Sequence, residues 1–118
     1  MLTKLEKILK IGKKRSKILF NYKSYLEKIV RIIEANLKDA NIYLFGSVLE
    51  NNLIASSDID MIIECEIPKN HMRRAEIIAN IEEQTDLPLY HPFQFHLLTG
   101  EELIEWKSIY KIDPKKIN

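Results

Sequence analysis

The firmest periodicity along the chain is an apolar stripe in which Ile18, Leu19, Tyr22, Tyr25, Leu26, Ile29, Val30, Ile33 and Leu37 recur at helical spacing. With Ser16 as N-cap, it predicts a helix from about residue 16 to residue 38. Ahead of it, Leu2, Leu5, Ile8 and Leu9 share a second helical face, opened by the capping-box pattern Thr3-Lys4-Leu5-Glu6 and running to Gly12. Residues 13–17 fit either a charged hinge or a continuation of that helix. Asn41 to Phe45 reads as a short buried strand ended by Gly46. A polar, loop-like stretch over 47–57 leads to a second strand, Asp58 to Cys65, with Met61, Ile62 and Ile63 as its apolar body. A helix over about 70–85 carries Met72, Ala75, Ile78, Ala79 and Ile81, and Leu87-Pro88 breaks it. Phe93 to Leu98 alternates as a third strand. The pattern Thr99-Gly100-Glu101-Glu102 opens a last helix, which places Trp106 and Tyr110 in the core. The tail from Asp113, with Pro114, is expected to fray.

The order is therefore helix, strand, strand, helix, strand, helix. The link between the first two strands is too short for a helical crossover, which makes them antiparallel. The second and third are joined through a helix, which favours a parallel, right-handed connection. The expected class is α/β in the α+β sense, a small mixed sheet packed against helices. One domain is expected: a basic amino-terminal helical arm over 1–15, a body over 16–112 and a tail over 113–118.

Composition narrows the classes. With 46% hydrophobic and 30% charged residues the chain is ordinary for a globular domain. No apolar run approaches the roughly 20 residues that span a bilayer, and the opening MLTKLEKILK does not read as a signal peptide. A lone cysteine, Cys65, cannot form an internal disulfide, and a cytoplasmic location is expected. The net charge of +1 hides an asymmetry: residues 1–23 hold eight Lys or Arg against Glu6 alone, +7, leaving −6 for the remainder. Such an arm could meet nucleic acid, an acidic partner or a second copy, or form a solvated helix face.

Candidate chemistry lies in the stretch YLFGSVLENNLIASSDIDMIIE, residues 43–64. In a strand, positions i and i+2 share a face, so Asp58 and Asp60 are expected to project together. Paired carboxylates repel unless a hard cation such as Mg²⁺ sits between them and a phosphate. Gly46 allows close backbone approach to a ligand, and the amides that follow it can cradle phosphate oxygens. A plain turn, with Asp58 capping the strand, would account for Ser57-Asp58 but not for Asp60, which interrupts an apolar run.

The pattern Gly46-Ser47, ten residues, Asp58-x-Asp60, with Ser57 directly before the first Asp, resembles the DNA polymerase β type of nucleotidyltransferase. Within that family the short chain is similar to the minimal nucleotidyltransferases, whose genes often lie beside a HEPN-domain partner. The resemblance implies the polymerase β-like fold and the transfer of a nucleoside monophosphate from an NTP, ATP foremost, to a protein or nucleic-acid acceptor. It implies a pair of Mg²⁺ ions held by Asp58 and Asp60, and contacts from Gly46, Ser47 and Ser57 to the nucleotide. It also implies an antitoxin role beside a HEPN-domain toxin.

The chain departs from the family pattern on the neighbouring strand. Active members carry a third carboxylate there; this chain has Gln94, with His96 two residues on and on the same face. A glutamine oxygen can ligate a cation but cannot act as a base. His96 could accept a proton in its stead, or be structural. The alternative function is a catalytically degenerate binding module that neutralises or scaffolds a partner. Arg73 and Arg74 read as a solvated face, and His71, His91 and Cys65 make no recognised zinc spacing.

Overall fold

A computed structural model describes residues 1–118. Helix α1 spans Lys4–Phe20, and its N-cap is Thr3, whose hydroxyl accepts from the Glu6 amide as the sequence pattern implies. Gly12 does not stop it; the helix continues through residues 13–17, and nothing lies within 4 Å of the place a Gly12 side chain would take. The long helix expected over 16–38 is instead divided. Helix α1 ends at Asn21, whose amide turns back to the Ile18 carbonyl, and α2 starts afresh over Lys23–Asn36. Residue 15, expected as the end of the arm, therefore lies inside α1. The apolar stripe crosses the break unaltered: Ile18 and Leu19 from α1, and Ile29 and Ile33 from α2, enter one core.

Strand β1 (Asn41–Phe45) leads into a short 3₁₀ turn over Gly46–Glu50, and β2 (Ile59–Glu64) returns antiparallel to β1 with Phe45 opposite Asp60. Helix α3 (His71–Gln84) is capped by the Asn70 side chain, which accepts from the Met72 and Arg73 amides. It carries the chain to β3 (Phe93–Leu98), parallel to β2 with Asp60 opposite Gln94. Helix α4 (Gly100–Tyr110) follows, with the complete Thr99–Glu102 capping box. Residues expected to fray do not: β4 (Lys115–Lys116) adds an antiparallel edge to β1, giving the order β3-β2-β1-β4. Beyond it the Ile117 amide donates to the Ile42 carbonyl at 2.8 Å. Asn118 accepts from the Ile42 amide and donates to the Ala40 carbonyl, each at 2.8 Å.

The sheet divides the molecule into two layers. Ile42, Leu44, Ile59, Met61, Ile63, Phe93 and Leu97 face the main core under α1, α2 and α3. The opposite face, with Ile62 and Leu98, is covered by Leu103 of α4 and by Trp106 and Ile112. Trp106 packs there as expected, but Tyr110 stays 63% exposed. Arg74 is not the solvated residue its neighbourhood suggested. It is buried, donates through Nε to the Pro68 carbonyl at 2.7 Å, and forks onto Glu102 at 2.8 and 3.0 Å. A further bond to the Leu97 carbonyl ties α3, β3 and α4 at one point. No helix is long and apolar enough to cross a membrane.

Two predictions follow from these ties. Removing residues 115–118 should lower stability by about 2–3 kcal/mol, since each lost hydrogen bond contributes roughly 1 kcal/mol; an unchanged urea midpoint would mean the tail is not held. The second concerns acid. The Arg74 guanidinium, then the Thr99 amide, hold the Glu102 carboxyl down to about 2 from its ordinary 4.5. A depressed carboxyl contributes stability above its unfolded value and loses it as the pH falls toward the folded one. Glu102→Gln should therefore be less stable than wild type at pH 7, and the gap should close between about pH 4.5 and pH 2. Urea melts at stepped pH measure it.

Candidate functional site

Strand β2 is central, and its residues alternate between two covered faces, so Asp60 belongs to the α4 face with Ile62 and Glu64. That cover is incomplete at the start of the strand. Asp60 and His96 keep side chains 29% exposed, with His96 Nε2 at 3.4 Å from Asp60 Oδ1. On the β1 side, Gly46 stands directly against the other carboxylate oxygen: a Cβ placed on it would lie 3.0 Å from Asp60 Oδ2. Gly46 also has φ +79, a conformation that L side chains rarely adopt. The turn must be glycine on two counts, and both bring its backbone against Asp60. Ser47 is half-buried as the chain enters the 3₁₀ turn.

Asp58 behaves differently from its partner. It lies one residue before β2, and its Oδ1 accepts from Arg15 Nη2 at 2.7 Å. Arg15 also donates to the Ala55 and Ser57 carbonyls, at 3.0 and 2.9 Å. The Ser57 hydroxyl is engaged within its own turn, accepting from the Ile54 amide at 2.9 Å. Gln94 is exposed beside Asp60 on the parallel neighbour. Gly46 and His96 thus each stand against Asp60, Gln94 is its partner in register, and Asp58 with Ser57 forms a rim fastened by α1.

Aromatic rings complete the wall. His96 lies 5.5 Å from Phe45 and 5.1 Å from Trp106, centroid to centroid, and Trp106 meets Tyr110 edge-on at 5.4 Å. With Asp60 and Ile112 they line a cavity of about 290 Å³. Phe45 escaped the sequence reading because it counts there as one apolar strand residue. Arg15 escaped because it stands in a run of lysines; that it is arginine, the residue suited to several acceptors at once, was the available signal. His91 is no ligand candidate: its ring contacts Glu82 and accepts from the Phe93 amide. Burial, reinforced by Glu64, pushes the Cys65 thiol up, which keeps it protonated and unreactive at neutral pH.

The side-chain oxygens at the mouth of β2 are two carboxylates and one neutral amide, with the His96 imidazole beside Asp60. Those oxygens fit a hard divalent cation whose remaining positions are filled by phosphate or water. No three His, Cys, Asp or Glu side chains converge on one point as a metal-binding group.

Comparison with known proteins bears on the family and the fold. Residues 26–113 match the family model for the nucleotidyltransferase domain. Among solved structures, the chain is similar to a crystal structure provisionally assigned as a nucleotidyltransferase. The two are 29% identical with a TM-score of 0.61, over 79% of this chain and 97% of that one. A second, from Sulfolobus solfataricus and also provisionally assigned, is 17% identical with a TM-score of 0.52, over 92% of this chain and 83% of that one, and shows the shared fold. No curated protein sequence matches.

Gly46→Ala should strain the turn and push a methyl onto Asp60, costing about 1–2 kcal/mol for the left-handed backbone alone. Thermal melts of the two proteins test it, and a variant as stable as wild type would show that Gly46 does not need this conformation.

Proposed function

Because the chain belongs to the nucleotidyltransferase-domain family, we propose that it transfers a nucleoside monophosphate from an NTP to a protein or nucleic-acid acceptor at Gly46, Asp60 and His96. The observation that carries this is the contact between a bare glycine turn and a carboxylate set between the fully buried Ile59 and Met61. A phosphate held by the Gly46–Ser47 backbone would lie beside Asp60, with Asp58 on the rim. A bound Mg²⁺ would neutralise phosphate charge and polarise the phosphorus. The chain's own residues bind and orient: the glycine turn holds the phosphates, Asp60 and Asp58 supply anionic oxygens, and Gln94 adds a neutral one. His96, whose Nε2 lies 3.4 Å from Asp60, would take the acceptor's proton. A HEPN-domain protein is the acceptor that the family resemblance favours, with this chain as the antitoxin.

One observation favours a second reading. The residue opposite Asp60 in the parallel ladder is Gln94, so no carboxylate stands where a third would complete the site. On that reading the domain binds nucleotide and a partner but turns over slowly.

Labelled NTPs, Mg²⁺ and candidate acceptors separate the two. If the chain is a working enzyme, wild type transfers label. Asp60→Asn then lowers transfer by more than about a hundredfold, since even outer-shell partners of a metal cost roughly ten- to a hundredfold. Transfer undiminished in Asp58→Asn/Asp60→Asn would remove the site. Wild type that gains a Mg²⁺-dependent thermal shift with NTP but transfers nothing, while Gln94→Glu transfers, would establish the degenerate reading.

A further inference from the structure

Asp58 is the candidate cation ligand that a cation of the chain itself already holds. The Arg15 guanidinium, 22% exposed, spreads across residues 55–58, taking two carbonyls and one carboxylate oxygen. One planar fork bound to several acceptors is a preorganised contact, stronger than an ordinary surface pair. It also decides where Asp58 points. Asp60 is fixed by ladders on both sides of β2, whereas Asp58 precedes the strand and closes a loop without helix or strand from Asn52 onward.

The same contact matters to α1. Residues 4–14 of that helix are all exposed, and its buried residues, Ile18 and Leu19, lie in its last turn. Arg15 is thus where the exposed part of the helix is fastened to the body, and its fastening point is a ligand of the candidate cation site.

We propose that Arg15 is an internal counter-ion for Asp58, so that a divalent cation and the seating of α1 compete for one carboxylate. This rests on the nucleotide-site reading, in which Asp58 is a ligand. A dication brought to Asp58 meets a fixed positive charge a few ångströms away, and two cations on one carboxylate repel. Arg15 therefore lowers cation affinity while the helix is seated, and a bound cation loosens the helix. Coupling of this kind is reciprocal by linkage. Whatever engages the exposed basic half of α1 and lifts it would raise cation affinity.

The test uses the full chain and Mn²⁺ alone, followed by its spin-resonance signal at about 0.1 M salt, where charges beyond roughly 10 Å are screened. Arg15→Gln keeps an amide donor and removes the charge. It should bind Mn²⁺ about three- to tenfold more tightly, as expected for one like charge removed from a few ångströms away in a solvent-screened site. Arg15→Lys should stay within about twofold of wild type, since the charge remains. In wild type, Mn²⁺ should speed hydrogen exchange in residues 13–20, a readout that stands even if Arg15→Gln folds poorly. Affinity unchanged or weakened in a folded Arg15→Gln, or exchange in α1 unmoved by saturating Mn²⁺, would overturn the proposal. Equal Mn²⁺ binding by wild type and Asp58→Asn/Asp60→Asn would instead remove the nucleotide-site reading, and the proposal with it.

Discussion

The burial of β2 is the constraint on which the rest of the structure turns. Ile59, Met61, Ile62 and Ile63 have no exposed surface, so the strand must be paired on both edges and covered on both faces. Helices α1, α2 and α3 supply a deep cover on one side. On the other, the 11-residue α4 reaches Ile62 and Leu98 but leaves Asp60 and His96 partly open. A carboxylate could not sit at 61, 62 or 63 without full desolvation. At 60 it keeps water on one side and a glycine turn on the other. The candidate site lies where the second layer of the fold runs out.

Two arginines hold this arrangement, by the same chemistry at different depths. Arg74 bonds the Pro68 and Leu97 carbonyls and both oxygens of Glu102, joining α3, β3 and α4. Arg15 bonds the Ala55 and Ser57 carbonyls and one oxygen of Asp58, joining α1 to the loop before β2. The Glu102 pair is more enclosed, and Glu102 also closes the helix cap, so both carboxylate oxygens are spoken for. At Asp58, 45% exposed, one oxygen has no partner in the chain. The first pair is scaffold because nothing can compete for it; the second faces solvent, where a competitor can reach.

Much of this was legible in the sequence, for a local reason. Strands β1, β2 and β3 and helices α3 and α4 announce themselves by periodicity, and α4 also by the capping box at Thr99, all within a few residues of the elements they define. The parallel pairing of β2 and β3 follows from the order of elements, and the family resemblance points to Gln94 as the residue beside the aspartates. What escaped is non-local or lacks a pattern. The apolar stripe runs across Asn21 and Tyr22 unbroken, because both helices bury the same side, so the break leaves no mark on hydrophobicity. Strand β4 is two exposed lysines, a composition suited to an edge that must not recruit other chains, and indistinguishable from a tail. Arg15 and Asp58 are 43 positions apart, and no spacing rule relates them.

Gln94 changes the electrostatics of the site as much as its chemistry. A carboxylate at 94, beside Asp60 and near Asp58, would crowd negative charge that only a bound cation could balance, and the metal-free fold would bear the repulsion. With a neutral amide at 94 and Arg15 on Asp58, less uncompensated negative charge is gathered at the mouth of β2 than a third carboxylate would bring. On the proposed nucleotide-site reading, Gln94 thus weakens the case for rapid turnover while easing the repulsion around Asp60, and the proposed competition at Asp58 would tie cation affinity to how firmly α1 holds that carboxylate.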